Sequence, residues 1–336
     1  MGRRLHDWFL ETWYGGSGRG RWLIPLAWLF AGVARLRRMT YAHGLLRPYR
    51  SGRAVVIVGN VTVGGAGKTP FVLWLGAALE RRGLRVGIAM RGYGSTGGAP
   101  RRVTDADTAA SAGDEPRMIH RRLRVPVAIA ARRADAVRLL ERDCDVILCD
   151  DGLQHYALAR DLEIAVVDGA RAFGNGRRLP AGPLREAVSR LDEVDAVVIN
   201  GPGFERPGAI RMSLEPTAVV SLADGSRRPL SDFAGREVVA AAAIGNPDRF
   251  FSMLRAHGLA IETRTLPDHA GFTPQLAGAG RGKPVLLTEK DAVKCDGAGW
   301  NDASYVEVDP VVDGADAEAL IALIAGHVLR KRGANS

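Results

Sequence analysis

From residue 54 onward, apolar positions cluster in short β-branched runs, and stretches with helical spacing separate them. Runs at 54–59 (AVVIVG), 85–90 (RVGIAM), 125–130 (VPVAIA), 145–150 (DVILCD), 162–168 (LEIAVVD) and 194–200 (VDAVVIN) predict strands, with helices over 68–82 and 133–142. Strands that alternate with helices imply right-handed crossovers. The expected fold class is therefore α/β, a mostly parallel sheet with helices on both faces. Ligands of such a sheet gather at the carboxyl ends of its strands.

Prolines and glycines interrupt this rhythm over 201–235, which reads as a connector with short strands at 209–214 and 217–221. A second, smaller α/β unit follows: strands at 237–244, 260–265, 284–288 and 304–308, a helix near 247–257 and a closing helix at 315–331. The chain contains no internal repeat and no low-complexity tract.

The 336 residues are enough for two domains, and 46% apolar with 25% charged residues is the composition of a globular chain. Three cysteines without a CxxC pair indicate neither a disulfide framework nor a zinc site, and fit a reducing cytoplasm. Cys144 and Cys149 are spaced for opposite faces of their strand.

The net charge of +9 is concentrated at the start. Residues 1–53 carry ten arginines against Asp7 and Glu11, together with Trp8, Trp13, Trp22 and Trp28 around the apolar run from Trp22 to Ala34. Thirteen residues are too few to cross a bilayer, which takes about 20. Arginine and tryptophan flanking a short apolar helix suit an interfacial segment on an anionic membrane surface. A signal peptide, a buried core helix and a nucleic-acid patch are the competing readings; the last lacks any recognised binding motif, so no nucleic-acid partner is expected.

Residues 62–69 (Thr62, Val63, Gly64, Gly65, Ala66, Gly67, Lys68, Thr69) match the phosphate-binding P-loop, with Thr62 in place of its first glycine. The glycines let backbone N–H groups curl around a phosphate. Lys68 reaches the β and γ oxygens, and the Thr69 hydroxyl can ligate Mg²⁺. The preceding strand and following helix supply the context the motif needs, and Pro70 is harmless in a first helical turn. A cradle alone leaves kinase, GTPase, partitioning ATPase and ligase open. The run VILCDD at 146–151 ends an apolar strand in Asp150 and Asp151, the form of the second Mg²⁺ anchor of such enzymes, with the choice between the two aspartates open.

Seven motifs then occur in one order: GNVTVGGAGKTP (59–70), RGYG (91–94), GDEP (113–116), DDGLQH (150–155), PAGPLRE (180–186), LPDH (266–269) and TEKDAVK (288–294). Together they resemble the tetraacyldisaccharide 4'-kinase family of lipid A biosynthesis, within the P-loop NTPase superfamily, and the basic aromatic start is similar to that family's membrane-associating helix. The resemblance implies transfer of the γ-phosphoryl of ATP to the 4'-hydroxyl of tetraacyldisaccharide 1-phosphate, making lipid IVA, with ATP and Mg²⁺ as cofactors. It implies Asp114 as catalytic aspartate and His269 as its dyad partner, with Lys68 and Arg185 steadying the transferred group. Glu115 and Glu186 would add carboxylates near Mg²⁺, while Arg91, Tyr93, Arg133 and Gln154 match positions that orient substrate or phosphate.

On this reading the chain divides into a membrane-associating segment (1–40), a P-loop kinase domain (41–205), a connector (206–235) and a C-terminal α/β domain (236–336). The expected place is peripheral, on the cytoplasmic face of the bacterial inner membrane, with no obligate protein partner evident. The reading from another class is a P-loop ATPase switch acting on a protein partner. Such switches carry a lysine before the glycine pair, where this chain has Val63.

Overall fold

The run Ala54–Gly59 is buried along its whole length, as a central strand covered on both faces must be. The computed structural model describes residues 2–16, 18, 20–93, 98–267, 270–279, 282–295, 299–312 and 314–334. In chain order the helices are α1 (Gly2–Tyr14), α2 (Ile24–Ala42), α3 (Lys68–Arg81), α4 (Ala109–Ala112), α5 (Asp114–Leu123), α6 (Arg133–Leu140), α7 (Pro247–Ala256), α8 (Pro274–Ala277), α9 (Glu289–Ala292) and α10 (Gly314–Ala334). The strands are β1 (Ala54–Gly59), β2 (Val86–Met90), β3 (Arg101–Arg102), β4 (Val127–Ile129), β5 (Val146–Asp150), β6 (Leu162–Asp168), β7 (Ala196–Asn200), β8 (Ile210–Ser221), β9 (Arg227–Arg228), β10 (Glu237–Ala242), β11 (Ala260–Thr265), β12 (Val285–Thr288) and β13 (Ala303–Val312).

All the strands join one sheet in the order β11-β10-β12-β13-β8-β7-β6-β1-β5-β2-β4-β3, with β9 beside β8. Pairing is parallel except for β3 with β4, β8 with β9, and β8 with β13. The mostly parallel α/β sheet matches the expectation. One difference lies in the connector, where the two short strands expected at 209–214 and 217–221 are the single strand β8. Pro216 sits where the register with β13 shifts, a bulge that tolerates its missing N–H. Because β8 pairs parallel with β7 at one end and antiparallel with β13 along its length, one strand belongs to both halves of the sheet.

Helices cover both faces. Phe71, Leu75 and Leu79 of α3 pack with Ile324 and Val328 of α10 over Val56, Val58 and Leu148. On the opposite face Val137 and Leu140 of α6 join Leu153, Leu184 and Leu191 over Val55, Ile57 and Ile147. Cys144 and Cys149 both lie in this second cluster, against the alternation expected of them, because Cys144 precedes β5 rather than belonging to it. In the second half, Phe250, Phe251 and Leu254 of α7 cover Val238 and Ala240. The closing helix α10 runs back to the first half: it packs on β1 and α3, Lys331 pairs with Asp161 at 3.0 Å and donates to the Ser51 carbonyl, and Arg332 pairs with Asp145 at 2.7 Å.

The apolar N-terminal run is the first part of the longer helix α2, entered through a 3₁₀ turn at Arg21–Leu23. Only Leu23 and Ala27 of this region are buried, against Ala181, which removes the core-helix reading. Trp22, Leu26, Leu29, Val33 and Leu36 recur at spacings of three and four, so they share one face, and all are exposed, Leu29 at 65% and Val33 at 60%. Trp28 beside them is 73% exposed. No helix among the described residues is long and apolar enough to cross a membrane.

Candidate active site

β1 delivers the chain to the phosphate loop, and the loop's shape depends on residues from neighbouring strands. Asn60, the residue after β1, is fully buried. Its amide oxygen accepts from Lys68 Nζ at 3.2 Å, and its amide nitrogen donates to the Gly64 carbonyl at 3.4 Å. Asn200, at the end of β7, donates to the Ala66 carbonyl at 3.1 Å. Gly67 caps α3 at φ +94°, and a Cβ there would lie 2.1 Å from the Asn200 amide nitrogen, so only glycine lets the two segments approach. The Val63 N–H is bonded to the Pro183 carbonyl at 2.8 Å, and Thr62 bridges to Leu184. These first two residues of the expected cradle are thus tied to the 180–186 segment, and the glycine turn supplies the open part of the loop.

β5 lies beside β1 and ends in the acidic pair. The two carboxylates have different surroundings. Asp151, at φ +51°, meets Lys68 at 3.4 Å and Arg185 at 2.9 Å. Burial alone would raise its pKa, but Lys68 and Arg185 outweigh it and hold the carboxyl well below the usual range. Asp150 accepts from the Thr69 hydroxyl at 3.0 Å on Oδ2, while its buried Oδ1 has no hydrogen-bond partner among the described residues. Burial, and then the nearby charge of Glu115, raise Asp150 to about 6. A buried carboxylate with one unused oxygen beside a hydroxyl is a donor set that suits Mg²⁺, a hard oxygen-seeking cation. No group of three or more His, Cys, Asp or Glu among the described residues is placed to hold a metal, so phosphate oxygens or water would complete its shell.

Gln154 links the loop to the acidic pair, donating to the Asn60 carbonyl at 3.0 Å and accepting from Arg185 at 3.4 Å. Arg133, expected to face substrate, is only 4% exposed and donates to the Asp150 carbonyl at 2.6 Å. It therefore grips the backbone from which both aspartates project. Glu186, expected near Mg²⁺, accepts from the Tyr156 hydroxyl at 2.6 Å on Oε1 and pairs with Arg190 at 3.3 Å, while its buried Oε2 has no hydrogen-bond partner among the described residues.

Asp114 and Glu115 open α5, which packs on α3. Gly113 before them has φ +93°, and a Cβ there would stand 2.7 Å from the Tyr93 carbonyl, so the RGYG turn runs against the start of α5. Tyr93 is 71% exposed. Asp114 is 3.3 Å from Lys294, and Glu115 is 3.0 Å from Lys290. His269, with Asp268 of the same motif and Gly94 of RGYG, lies outside the described residues.

Lys68, Thr69, Asp150, Asp151, Gln154 and Arg185 are thus brought into one cluster, with Glu115 of α5 near enough for its charge to act on Asp150. Sequence reasoning missed Asn60, Asn200, Lys294 and His155. An asparagine immediately after the P-loop strand was the available signal for the first. Lys294 and His155 lie inside named motifs, and Asn200 ends an expected strand at the side of the sheet where ligands gather.

His155 is pushed down to about 4, first by burial and then by the charges of Arg133, Arg91 and Arg37. With its folded pKa below the ordinary 6.5, its neutral form stabilises the fold above about pH 6.5, and that contribution disappears as pH falls toward 4. His155→Asn is expected to narrow the stability gap between pH 7 and pH 4.5 by about 1–2 kcal/mol, read from urea midpoints at the two pH values. An unchanged gap would place the acid sensitivity elsewhere.

Comparison with known proteins adds the relatives of this site. The family model described as tetraacyldisaccharide-1-P 4'-kinase matches residues 19–327. The chain is similar to the tetraacyldisaccharide 4'-kinase of Pseudomonas aeruginosa strain PAO1, 48% identical over 307 residues, which is 90% of this chain and 92% of the relative. It is also similar to the protein of that name from Azotobacter vinelandii, 47% identical over 332 residues, 96% of this chain and 98% of the relative. Among solved structures, LpxK from Aquifex aeolicus in complex with ATP superposes with a TM-score of 0.78 at 28% identity, covering 92% of this chain and 99% of that one.

Proposed function

The chain belongs to the tetraacyldisaccharide-1-P 4'-kinase family, and from that premise we propose how its residues move a phosphoryl group from ATP to a lipid-borne sugar alcohol. It is an ATP-dependent kinase of lipid A biosynthesis that phosphorylates the 4'-hydroxyl of tetraacyldisaccharide 1-phosphate, giving lipid IVA. The ATPase switch acting on a protein partner is not favoured, since relatives named as kinases match nearly the whole chain.

The observation that carries the reading is the convergence of Lys68, Thr69 and Arg185 on the acidic pair Asp150 and Asp151 at the phosphate loop. The open N–H groups of the glycine turn and the start of α3 receive the ATP phosphates. Lys68 and Arg185, both turned toward Asp151, bring two positive charges to the point where the γ-phosphoryl leaves. Thr69 and Asp150 are the residues that would hold Mg²⁺, whose charge offsets that of the phosphate oxygens.

Asp114 takes the proton of the 4'-hydroxyl as its oxygen bonds to the γ-phosphorus and the bond to the β–γ bridging oxygen breaks, releasing ADP. A lone carboxylate with an ordinary pKa near 3.9 is a weak base toward an alcohol. A neighbouring imidazole, the role proposed for His269, would orient it and share the proton. Arg91 and Tyr93 are proposed to meet the acceptor from the exposed turn against Gly113. Arg133 acts through the acidic pair.

The test is direct. Purified protein with Mg-ATP and tetraacyldisaccharide 1-phosphate in mixed micelles should yield a doubly phosphorylated lipid by mass spectrometry. ADP formed without that lipid product would overturn the assignment.

We further propose that the protein sits peripherally on an anionic membrane at the cytoplasmic face, where ATP is available. The exposed stripe of α2 and the surrounding arginines support this. Trp28→Glu with Val33→Glu should weaken binding to anionic vesicles by about a hundredfold or more, since each removes about 1.5–3 kcal/mol of apolar burial. Co-sedimentation unchanged by the pair would move the contact off this helix.

A further inference from the structure

We propose that Lys294 is a positioning residue for phosphoryl transfer: reaching over from the second half of the chain, it fixes the direction of the Asp114 carboxylate toward the acceptor hydroxyl. The inference rests on the reading of Asp114 as the base that receives the hydroxyl proton.

Lys294 does not behave as a surface lysine. Its side chain is 5% exposed, and its ammonium lies 2.9 Å from Asp291 Oδ1 and 3.3 Å from Asp114 Oδ2. The Phe272 ring flanks it, with its centroid 5.7 Å from Nζ. Asp291 is a rigid anchor, since its side chain is fully buried and its Oδ2 accepts from the Ala243 N–H at 2.9 Å and the Thr288 hydroxyl at 2.7 Å. The socket is thus fixed to the ends of β10 and β12, and Asp114 is the member that arrives from another part of the fold.

Two further pairs define the register between α9 and α5: Glu289 with Arg122 at 2.6 Å, and Lys290 with Glu115 at 3.0 Å. The signs alternate, so sliding one helix along the other would set like charges together. Arg122–Glu289, at the far end of α5, already joins the two elements. What Lys294 adds lies at the end of α5 that carries Asp114. An ammonium with three donors can bond to Asp291 and Asp114 at once, so the fixed carboxylate sets where the Asp114 carboxylate is held. Orientation of the base therefore depends on the two halves of the sheet being in contact.

Loss of orientation at a reacting group costs about 10²-fold in rate for a displacement near 1 Å. Lys294→Met is accordingly expected to lower kcat by about 10²-fold while KM for ATP stays within about twofold, and Lys294→Arg, which keeps the charge, should recover most of the loss. Melting curves verify that each variant is folded. If Lys294→Met fails to fold, Lys294→Met with Asp291→Asn carries the same test, because it leaves no charge on the fully buried Asp291 and preserves that residue's hydrogen-bond acceptor.

Either of two results overturns the proposal: kcat within about twofold of wild type, or a fall in kcat matched by a rise in KM for ATP that Lys294→Arg does not reverse. The two readings can be separated. Near wild-type transfer by Asp114→Asn would remove the base assignment itself. An inactive Asp114→Asn beside an unaffected Lys294→Met would remove only the role given to Lys294.

Discussion

Asp114→Asn is expected to slow phosphoryl transfer by about 10³-fold or more, near the upper range for loss of a positioned general base, while ATP binds within about threefold of wild type. Asparagine isolates the chemistry. Its amide oxygen can still accept from Lys294, 3.3 Å from the native carboxylate, but it cannot take up a proton at neutral pH. The fold should tolerate the change, because a carboxylate in the first turn of α5 contributes only about 0.3–1 kcal/mol through the helix dipole. Rates from radiolabelled ATP, with affinity from calorimetry, separate the two quantities. Transfer within about tenfold of wild type would remove Asp114 from the mechanism.

Lys68→Met should be as damaging and should differ in kind. The ammonium touches Asn60 at 3.2 Å and Asp151 at 3.4 Å, so its loss removes a phosphate ligand and one of the two cations that balance Asp151. Removing one preorganised charge from a developing transition state costs about 10²–10³ in kcat. Because Lys68 also meets phosphate in the ground state, ATP affinity should fall by about tenfold or more, unlike the Asp114 case. Arg185 remains on Asp151 at 2.9 Å, which keeps that carboxylate paired and the site folded. A variant that transferred phosphoryl at a tenth of the native rate or better would show that the loop lysine is not the phosphate clamp.

What the sequence disclosed of this site is what local chain geometry encodes. A β-branched strand, a glycine turn and a lysine opening an apolar helix are consecutive in the chain, so β1, the loop and α3 were legible together. Asp150 and Asp151 could be read for the same reason, as charges ending an apolar run. The family resemblance, not spacing, brought in Asp114, Arg185 and His269. Tertiary contact set the rest. The loop is held open by Asn200 from β7, more than a hundred residues away, and its place at a strand end does not by itself reveal that contact. Glu186 adjoins Arg185 in sequence, yet its partners, Tyr156 and Arg190, are ones that only the tertiary fold supplies. Pro216 suggested a break between two strands, and only the pairing with β13 reveals a bulge within one. The resemblance singles out Arg133 as a substrate or phosphate contact; its burial and its bond to the Asp150 carbonyl depend on where β5 and α6 meet.

The return of α10 onto β1 and α3 has a consequence for how the protein is made. Ile324 and Val328 cover apolar positions translated long before them, so the nucleotide-binding half emerges from the ribosome with one side of its sheet uncovered. At about 5–20 residues per second, the roughly 150 residues between β6 and α10 take about 7–30 s to synthesise. During that interval the nascent chain should be a client for chaperones that shield greasy surfaces. Arrested chains ending before residue 314 should be cut by protease within residues 71–79, and that sensitivity should vanish once residue 334 has cleared the exit tunnel.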